Sequence, residues 1–129
     1  RMHIEGKLLD LSHASFHYFF EAVGGELDAR GFAFPSTEGM VFMPTQGKCN
    51  GQDAEVQAFL LRVDNPLDTK KWTYTQTKLT YPFDEQMAPY SNIPPGDCII
   101  VEFDAQKDRT ERICTTYRLA QERGELHGR

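Results

Sequence analysis

The sequence predicts an α+β fold, in which a mainly antiparallel sheet of five or six strands packs against an amphipathic helix near the N-terminus. Three observations favour this class. A helical stripe of Phe residues comes early in the chain, several short segments rich in β-branched and aromatic residues follow it, and turn-forming residues separate those segments. Because the strands follow one another without alternating helices, an antiparallel sheet is favoured over a parallel one.

The composition is typical of one globular domain over residues 1–129. Hydrophobic residues make up 40% and charged residues 26% of the chain, values that argue against wholesale disorder. The net charge is −5 and there is no run of Lys and Arg, so nucleic acid is not an expected partner. No apolar stretch is long enough for a membrane span or a signal peptide. We therefore expect a soluble, cytoplasmic protein.

The three cysteines indicate reduced thiols. Their number is odd and none forms a C-x-x-C pair, which favours a reducing, cytoplasmic setting. Cys98 and Cys114 lie in apolar patterns and are expected to be inert core residues. Cys49 follows Lys48 in a polar segment, where a positive charge would lower the thiol pKa. No sequence-local His pairs with it, as a catalytic thiol would require.

A short strand over residues 3–9 and a helix over residues 13–23 are the first predicted elements. Ser12 is the expected N-cap of the helix, and Gly24-Gly25 is expected to end it. An apolar stripe at helical spacing must pack on the core, and it consists of Phe16, Phe19, Phe20 and Val23.

Three further strands and a loop are predicted between this helix and Asp64. Residues 31–34 and 38–43 are two short strands. Residues 45–53 are expected to form a polar loop with a turn at Asn50-Gly51. Residues 54–63 carry apolar side chains on both faces, a pattern typical of a strand that is covered on two sides.

Residues 72–81 have almost pure strand composition, but neither face is a plain core face. Trp72 and Tyr74 share one face with Gln76 and Lys78. Such a strand is typical of a sheet edge or of the wall of a partly polar cavity. The following segment, residues 82–95, has no periodicity, and a loop of this length is often a lid or a binding loop.

A Pro-Pro-Gly-Asp turn then leads into residues 97–103, the clearest buried-strand signal of the chain. We expect this strand to be central or near-central in the sheet. Residues 110–123 are predicted to be a C-terminal helix, with a capping box from Asp108 to Glu111 and a stop at Gly124. A hairpin between residues 97–103 and 111–117 is the alternative, because residues 113–116 favour a strand.

Glu102 is the residue of the 97–103 strand that needs an explanation. Alternation places it with Cys98 and Ile100, opposite the apolar face of the strand. The favoured interpretation is that this face meets solvent near the strand end, and the alternative is that Glu102 points into a cavity. Acidic residues concentrate around it, which could serve acid–base work or bind a cation; they are Asp84, Glu85, Asp97 and Asp104.

Other candidate motifs carry less weight. His13 and His17 have the i, i+4 spacing of two metal ligands, but no Glu follows His13, so the zincin pattern is absent and boundary histidines without a metal are expected. Gly47-Lys48 resembles part of a phosphate-binding loop. The complete motif fails, because Phe42 and Cys49 occupy positions that require Gly and Ser or Thr.

The main ligand-binding candidates are aromatic. Pockets for small organic molecules are lined by aromatic side chains with a few polar groups. An ordinary core and a protein interface are equally weighted alternatives, because Tyr and Trp are also frequent at interfaces. With Phe83 as a further member of the aromatic set, the residues predicted to bind ligand are Trp72, Tyr74, Tyr81, Tyr90 and Glu102.

These observations favour a non-enzymatic binding protein that holds a small organic ligand. Ring faces and one carboxylate would suit a cationic ligand. The alternative is a protein-interaction or regulatory module, such as a homodimer, that uses the exposed aromatic strand. A small enzyme with carboxylate or His acid–base groups is the least favoured class. No cofactor and no bound metal are expected.

Overall fold

The structure, a computed structural model, describes residues 10–28, 31–69, 71–81, 83–88 and 95–128. Within them it is α+β and mainly antiparallel, with two α-helices, which confirms the predicted class at that level. The strand predicted at residues 3–9 lies outside the described residues. In chain order, the elements are a 3₁₀ turn (Leu11–Ala14), α1 (Phe16–Ala22), β1 (Glu26–Asp28), β2 (Gly31–Ser36), β3 (Gly39–Pro44), β4 (Gln46–Cys49), β5 (Gln52–Val63), β6 (Trp72–Leu79), β7 (Cys98–Asp104), α2 (Thr115–Glu122) and β8 (Leu126–Gly128).

The described strands form two sheets, where the sequence predicts one. The first is an antiparallel sheet in the order β1-β2-β3. The second is built around β5, which pairs antiparallel with β4, β6 and β7. β6 and β7 pair with overlapping parts of β5 and therefore lie on opposite sides of it. β8 adds to β6 as a parallel strand, with Trp72 opposite Leu126.

The core lies on both faces of β5, as its apolar pattern predicts. Val56, Ala58 and Leu60 are buried against α1 and the first sheet. The alternate residues, Phe59 and Leu61, are buried against α2. Each large side chain fully buried in this way contributes about 1.5–3 kcal/mol. The central strand is thus β5. β7, which is predicted to be central or near-central, lies beside it and pairs with β5 alone among the described residues.

Helix α1 is shorter than predicted and begins at a different cap. The predicted cap at Ser12 is wrong, because residues 11–14 form the 3₁₀ turn and Ser15 caps α1, accepting a hydrogen bond from the Tyr18 N–H at 3.2 Å. The predicted end is confirmed: Gly24 has φ of +79° and the Gly25 N–H donates to the Phe20 carbonyl at 2.7 Å.

Fewer residues of the predicted apolar stripe are buried than the sequence indicates. Phe16 and Phe20 are buried and Phe19 packs against the same core cluster. Val23, at the end of the stripe, is 42% exposed. The stripe therefore buries its first part and leaves its last residue at the surface.

Residues 115–122 form a helix and not the strand of a hairpin. The predicted start is wrong, because the segment from Asp108 to Glu111 is irregular and α2 begins after Cys114. The predicted end is confirmed by Gly124, whose φ is +69°, and by the Glu125 N–H, which donates to the Ala120 carbonyl at 2.9 Å. Both helices thus end in the same motif and lead into a three-residue strand.

The predicted polar loop at residues 45–53 is a hairpin instead. β4 pairs with the start of β5, with Cys49 opposite Gln52 across the predicted Asn50-Gly51 turn. Both turn residues have positive φ, as a tight two-residue hairpin requires. No helix in the described residues is long and apolar enough to cross a membrane.

Candidate functional site

Strand β3 carries three consecutive exposed apolar side chains. Met40, Val41 and Phe42 are 58%, 37% and 58% exposed. The other large apolar residues exposed in the described part of the chain are separated from one another in the sequence, and Leu67 in a turn is one of them. A contiguous exposed apolar run on a strand marks an interaction surface more often than scattered residues do.

The register explains which side of the first sheet these residues occupy. Met40 pairs with Pro35 and Phe42 pairs with Ala33, whereas Val41 pairs with Phe34. Phe34 packs against the core cluster under α1. Because side chains alternate along a strand, Met40 and Phe42 lie on the face away from this core, and exposed Pro35 extends their surface.

The outer edge of β3 has few of the features that protect edge strands. Among the described residues β3 pairs with β2 alone, so one row of its backbone groups has no strand partner there. The strand has no Lys, Arg, Asp or Glu, and its only Pro is Pro44 at the end. Natural edge strands are usually kept apart from other chains by charges, bulges or covering loops.

A short turn fixes an acidic residue at the end of this strand. The Ser36 hydroxyl donates to the Gly39 carbonyl at 2.7 Å and accepts from the Glu38 N–H at 3.2 Å. Glu38 is exposed. The described charged residues of this sheet and its turn are all acidic, and they are Glu26, Asp28 and Glu38.

Glu102 lies on the predicted face of β7, but the solvent-exposed interpretation is wrong. Its side chain is only 2% exposed, and it forms an ion pair with Lys107 and accepts a hydrogen bond from the Thr110 hydroxyl. Arg112 Nε lies 3.6 Å from its Oε1. Burial alone would raise the pKa of Glu102, but the hydrogen bonds from Lys107 and Thr110 and the nearby positive charges bring it below its ordinary value.

The segment that covers Glu102, residues 105–112, is here called the strap. Gln57 is 1% exposed and holds the start of the strap with its side-chain amide. It donates to the carbonyls of Asp104 and Ala105 at 3.1 and 3.0 Å, and accepts from the Lys107 N–H at 2.9 Å. A buried amide with its bonds made stabilises the strap in one position.

Two side chains of β6 complete this attachment. Gln76 donates to the Thr110 carbonyl at 3.0 Å and accepts from the Thr110 N–H at 2.8 Å. Lys78 donates to the Lys107 carbonyl at 2.8 Å and to Gln57 Oε1 at 3.0 Å. Gln76 and Lys78 therefore bind backbone of the same chain, which accounts for the polar part of this face of β6. The predicted sheet edge is wrong for β6, because β6 pairs with both β5 and β8.

Asp97 belongs to a second, separate ionic network. Arg62 binds it with two hydrogen bonds, Nε to Oδ1 at 3.1 Å and Nη2 to Oδ2 at 2.9 Å. The same Nη2 donates to the Gln86 carbonyl at 2.7 Å, and Asp97 accepts from the Ala88 N–H at 2.9 Å. Hydrogen bonding to Asp97 raises the pKa of Arg62 despite its partial burial. This network attaches residues 86–88 to the turn before β7.

Three of the four acidic residues that the sequence places around Glu102 are thus divided between two networks, and the fourth, Asp84, lies 4.0 Å from His17 Nδ1 instead. Glu85 lies 3.5 Å from Arg62, and Asp104 lies 3.0 Å from Lys107. Within the described residues no group of three or more His, Cys, Asp and Glu side chains is placed to hold a metal ion. His13 stacks on Tyr18, and His17 Nε2 lies 3.5 Å from Glu21 Oε1.

The predicted ligand-binding residues are distributed over both sides of the second sheet. Trp72 and Tyr74 are half-buried against the α2 cluster, and the Tyr74 ring meets Tyr117 edge-on at 5.2 Å. Tyr81 instead contacts Phe83, in the α1 cluster, at 5.7 Å. Tyr90 lies outside the described residues.

Glu102 is on the same face as Trp72 and Tyr74, but the strap covers it. An open cleft of about 620 Å³ lies beside β4, the start of β5 and Gln106, and it includes none of the five predicted residues. The described residues therefore do not bring the predicted ligand-binding set together, and the aromatic pocket stays a prediction.

The cysteines differ from expectation. Cys98 and Cys114 form a disulfide that joins β7 to the start of α2, so the prediction of reduced thiols is wrong for this pair. Sequence reasoning missed it because pairing two of three thiols depends on a long-range contact. Cys49 is free and partly buried, and the neighbouring Lys48 forms an ion pair with Asp53.

Sequence reasoning also missed the exposure of β3. The signal was present as a run of apolar residues without a charge at the position of a predicted strand, but such a run is equally typical of a core strand. Comparison of the chain with protein-family models, with curated proteins and with solved structures found no match.

Proposed function

We propose that this protein is a protein-interaction module whose contact surface is strand β3. The observation that carries the proposal is the exposure of Met40, Val41 and Phe42 on an edge strand with one described partner. The sequence analysis gives a protein-interaction module as the alternative function and assigns the contact to the strand that is now β6. We assign the contact to β3 instead. β6 is less suited, since it pairs with β5 and β8 and its Trp72 and Tyr74 pack against the core.

Two physical effects favour binding at this strand. Covering exposed apolar surface contributes about 25 cal/mol per Å². A strand that is added to β3 also gives hydrogen-bond partners to its outer row of backbone groups, the mode of recognition called β-augmentation. The first effect supplies affinity through Met40 and Phe42, and the second sets the extended shape of the bound segment. The homodimer predicted from the sequence is one form of this proposal.

The disulfide bears on where such a module works. The cytoplasmic location expected from the sequence is opposed by the Cys98–Cys114 bond, because disulfides are rare in reducing compartments. We therefore favour an oxidising compartment for the folded protein and for its partner.

Selection from a displayed library of random peptides tests the proposal. The wild-type protein, a Met40→Gln/Phe42→Gln variant and a Leu67→Gln variant are immobilised in parallel. Leu67 is 72% exposed and lies outside the first sheet, so its variant is a matched control. We expect the wild type and the control to enrich common sequences that the double variant does not retain. Equal enrichment by all three proteins would show that β3 is not the contact surface.

A further inference from the structure

Resting on the proposed function, we infer that the partner of β3 is a short extended segment of another protein, apolar on the side that meets Met40 and Phe42 and carrying a basic residue at the end that lies beside Glu38. Exposed area, strand length and local charge carry this inference. The exposed area and the local charge separate such a segment from a second copy of this chain.

The exposed apolar area of β3 is small beside the area of an interface between two folded proteins. Met40, Val41 and Phe42 together expose roughly 300 Å² of side chain, given about 150–250 Å² for a large side chain that is fully accessible. A stable interface between folded proteins buries about 800 Å² on each side. A segment that gains backbone hydrogen bonds in addition to apolar contacts needs less area, and β3 offers six residues, about 20 Å of strand, for that purpose.

The charged side chains that the structure describes on the first sheet and its turn are of one sign. Glu38 is exposed directly before the strand, and no ion pair to its carboxylate occurs among the described residues. Glu26 is also exposed on the same sheet, and residues 31–47 contain no Lys or Arg. The chain carries a net charge of −5, so a second copy offers no net positive charge to complement Glu38. A Lys or Arg at the end of the bound segment would complement Glu38.

Two synthetic peptides with capped termini provide the test. Each alternates Val and Thr over five residues, and the first carries Lys at both ends whereas the second carries Glu. Lysines at both ends allow either strand direction to place one beside Glu38. Binding is measured by isothermal titration calorimetry at low ionic strength with wild-type protein, Glu38→Lys, Met40→Gln/Phe42→Gln and the Leu67→Gln control.

We expect the wild type to bind the Lys-ended peptide about threefold or more tighter than the Glu-ended one, the size of effect that a surface ion pair gives. Glu38→Lys should reverse this order. The Met40→Gln/Phe42→Gln variant should lose about tenfold in affinity for both peptides, and Leu67→Gln should bind as the wild type does.

The other outcomes separate the inference from the proposed function. Equal binding of the two peptides that still requires Met40 and Phe42 would overturn the inference and leave β3 as the contact surface. Binding of the Lys-ended peptide that is unchanged in the Met40→Gln/Phe42→Gln variant would reflect general attraction to an acidic protein and would overturn both. Absence of binding by either peptide would overturn the inference, and the library selection would then decide the function.

Discussion

Glu102 is a carboxylate that the fold keeps almost completely out of water. Its charge is balanced by Lys107, and its hydrogen-bonding capacity is met in part by Thr110. A buried charge is tolerated only with such partners, because desolvation alone would cost several kcal/mol. Removing the charge therefore leaves Lys107 and Thr110 without the group that orients them.

Glu102→Gln should lower the free energy of unfolding by about 2 kcal/mol, since hydrogen bonds to a charged group contribute about 1.5–3 kcal/mol. Asp104→Asn is the matched control, because Asp104 contacts the same Lys107 but is 51% exposed. We expect its effect to stay below about 1 kcal/mol. Urea unfolding followed by circular dichroism measures both. Equal losses in the two variants would mean that burial does not distinguish these carboxylates.

The same carboxylate should make stability depend on acid pH. The pKa of Glu102 is lower in the folded protein than its ordinary value of 4.5, so its contribution is complete above about pH 4.5 and is lost as the pH falls through the folded pKa. Wild-type protein should lose stability over that interval, and Glu102→Gln should lose less. Unfolding free energies at a series of pH values from about 6 to 3 provide the comparison. Parallel curves for the two proteins would contradict this assignment.

Strand alternation was enough to place Glu102 on its face of β7, but not to establish its burial. The covering strap is held by Gln57 and Gln76, which lie in other strands far from it in the sequence. Alternation describes a strand and its two faces. It carries no information about which distant loop crosses one of them.

At the scale of elements, the strap is held to the sheet by hydrogen bonds from side chains and not by strand pairing. Residues 105–112 have no strand or helix of their own, and Gln57, Gln76 and Lys78 bind their backbone. The Cys98–Cys114 disulfide joins the two elements on either side of the strap, β7 and α2. Side-chain hydrogen bonds therefore hold the strap along its length, and the disulfide closes a loop that contains both β7 and the strap.

Reduction of this disulfide should destabilise the protein by about 3 kcal/mol, the value expected when a loop of this length is no longer closed in the unfolded chain. The experiment uses a Cys49→Ser background, which removes the free thiol and prevents disulfide exchange. Urea unfolding with and without a phosphine reductant gives the difference. An unchanged midpoint, with reduction verified by thiol titration, would contradict the stabilising role.

Local sequence signals identified most helices and strands. They failed where pairing between distant segments determines whether a segment is a strand. Gly24 and Gly124 indicated both helix ends correctly, because a left-handed residue after a helix is a local requirement. The polar residues around Asn50-Gly51 looked like a loop, although the turn they contain pairs β4 with β5. β8 has only three residues, too few for a periodic pattern.

For the whole molecule, β5 is the element on which both core clusters are built. Its two faces pack against different layers, α1 with the first sheet on one side and α2 on the other. The first sheet covers the core with one face, and on its other face Met40 and Phe42 are exposed whereas Ala33 is buried. The exposed strand is therefore a consequence of how the two sheets are arranged.

That arrangement could not be read from the sequence. Residues 40–42 form an apolar run that suits a buried strand equally well, and their exposure depends on the absence of a further strand or layer over β3 among the described residues. The five residues predicted to bind ligand show the opposite case, in which the sequence suggests a site that the described residues do not bring together. Their side chains are suited to a pocket, but the fold sends Tyr74 and Tyr81 to different clusters.

The most direct test of β3 as the contact surface is a titration of ¹⁵N-labelled protein with the Lys-ended peptide, followed by amide chemical shifts and hydrogen exchange in NMR spectra. We expect the largest shifts over residues 39–43. Slowing of exchange should be greatest at the alternate amides of this range whose N–H groups point away from β2. Shifts that concentrate around Trp72 and Tyr74, while the β3 amides stay unchanged, would show that β3 is not the contact surface.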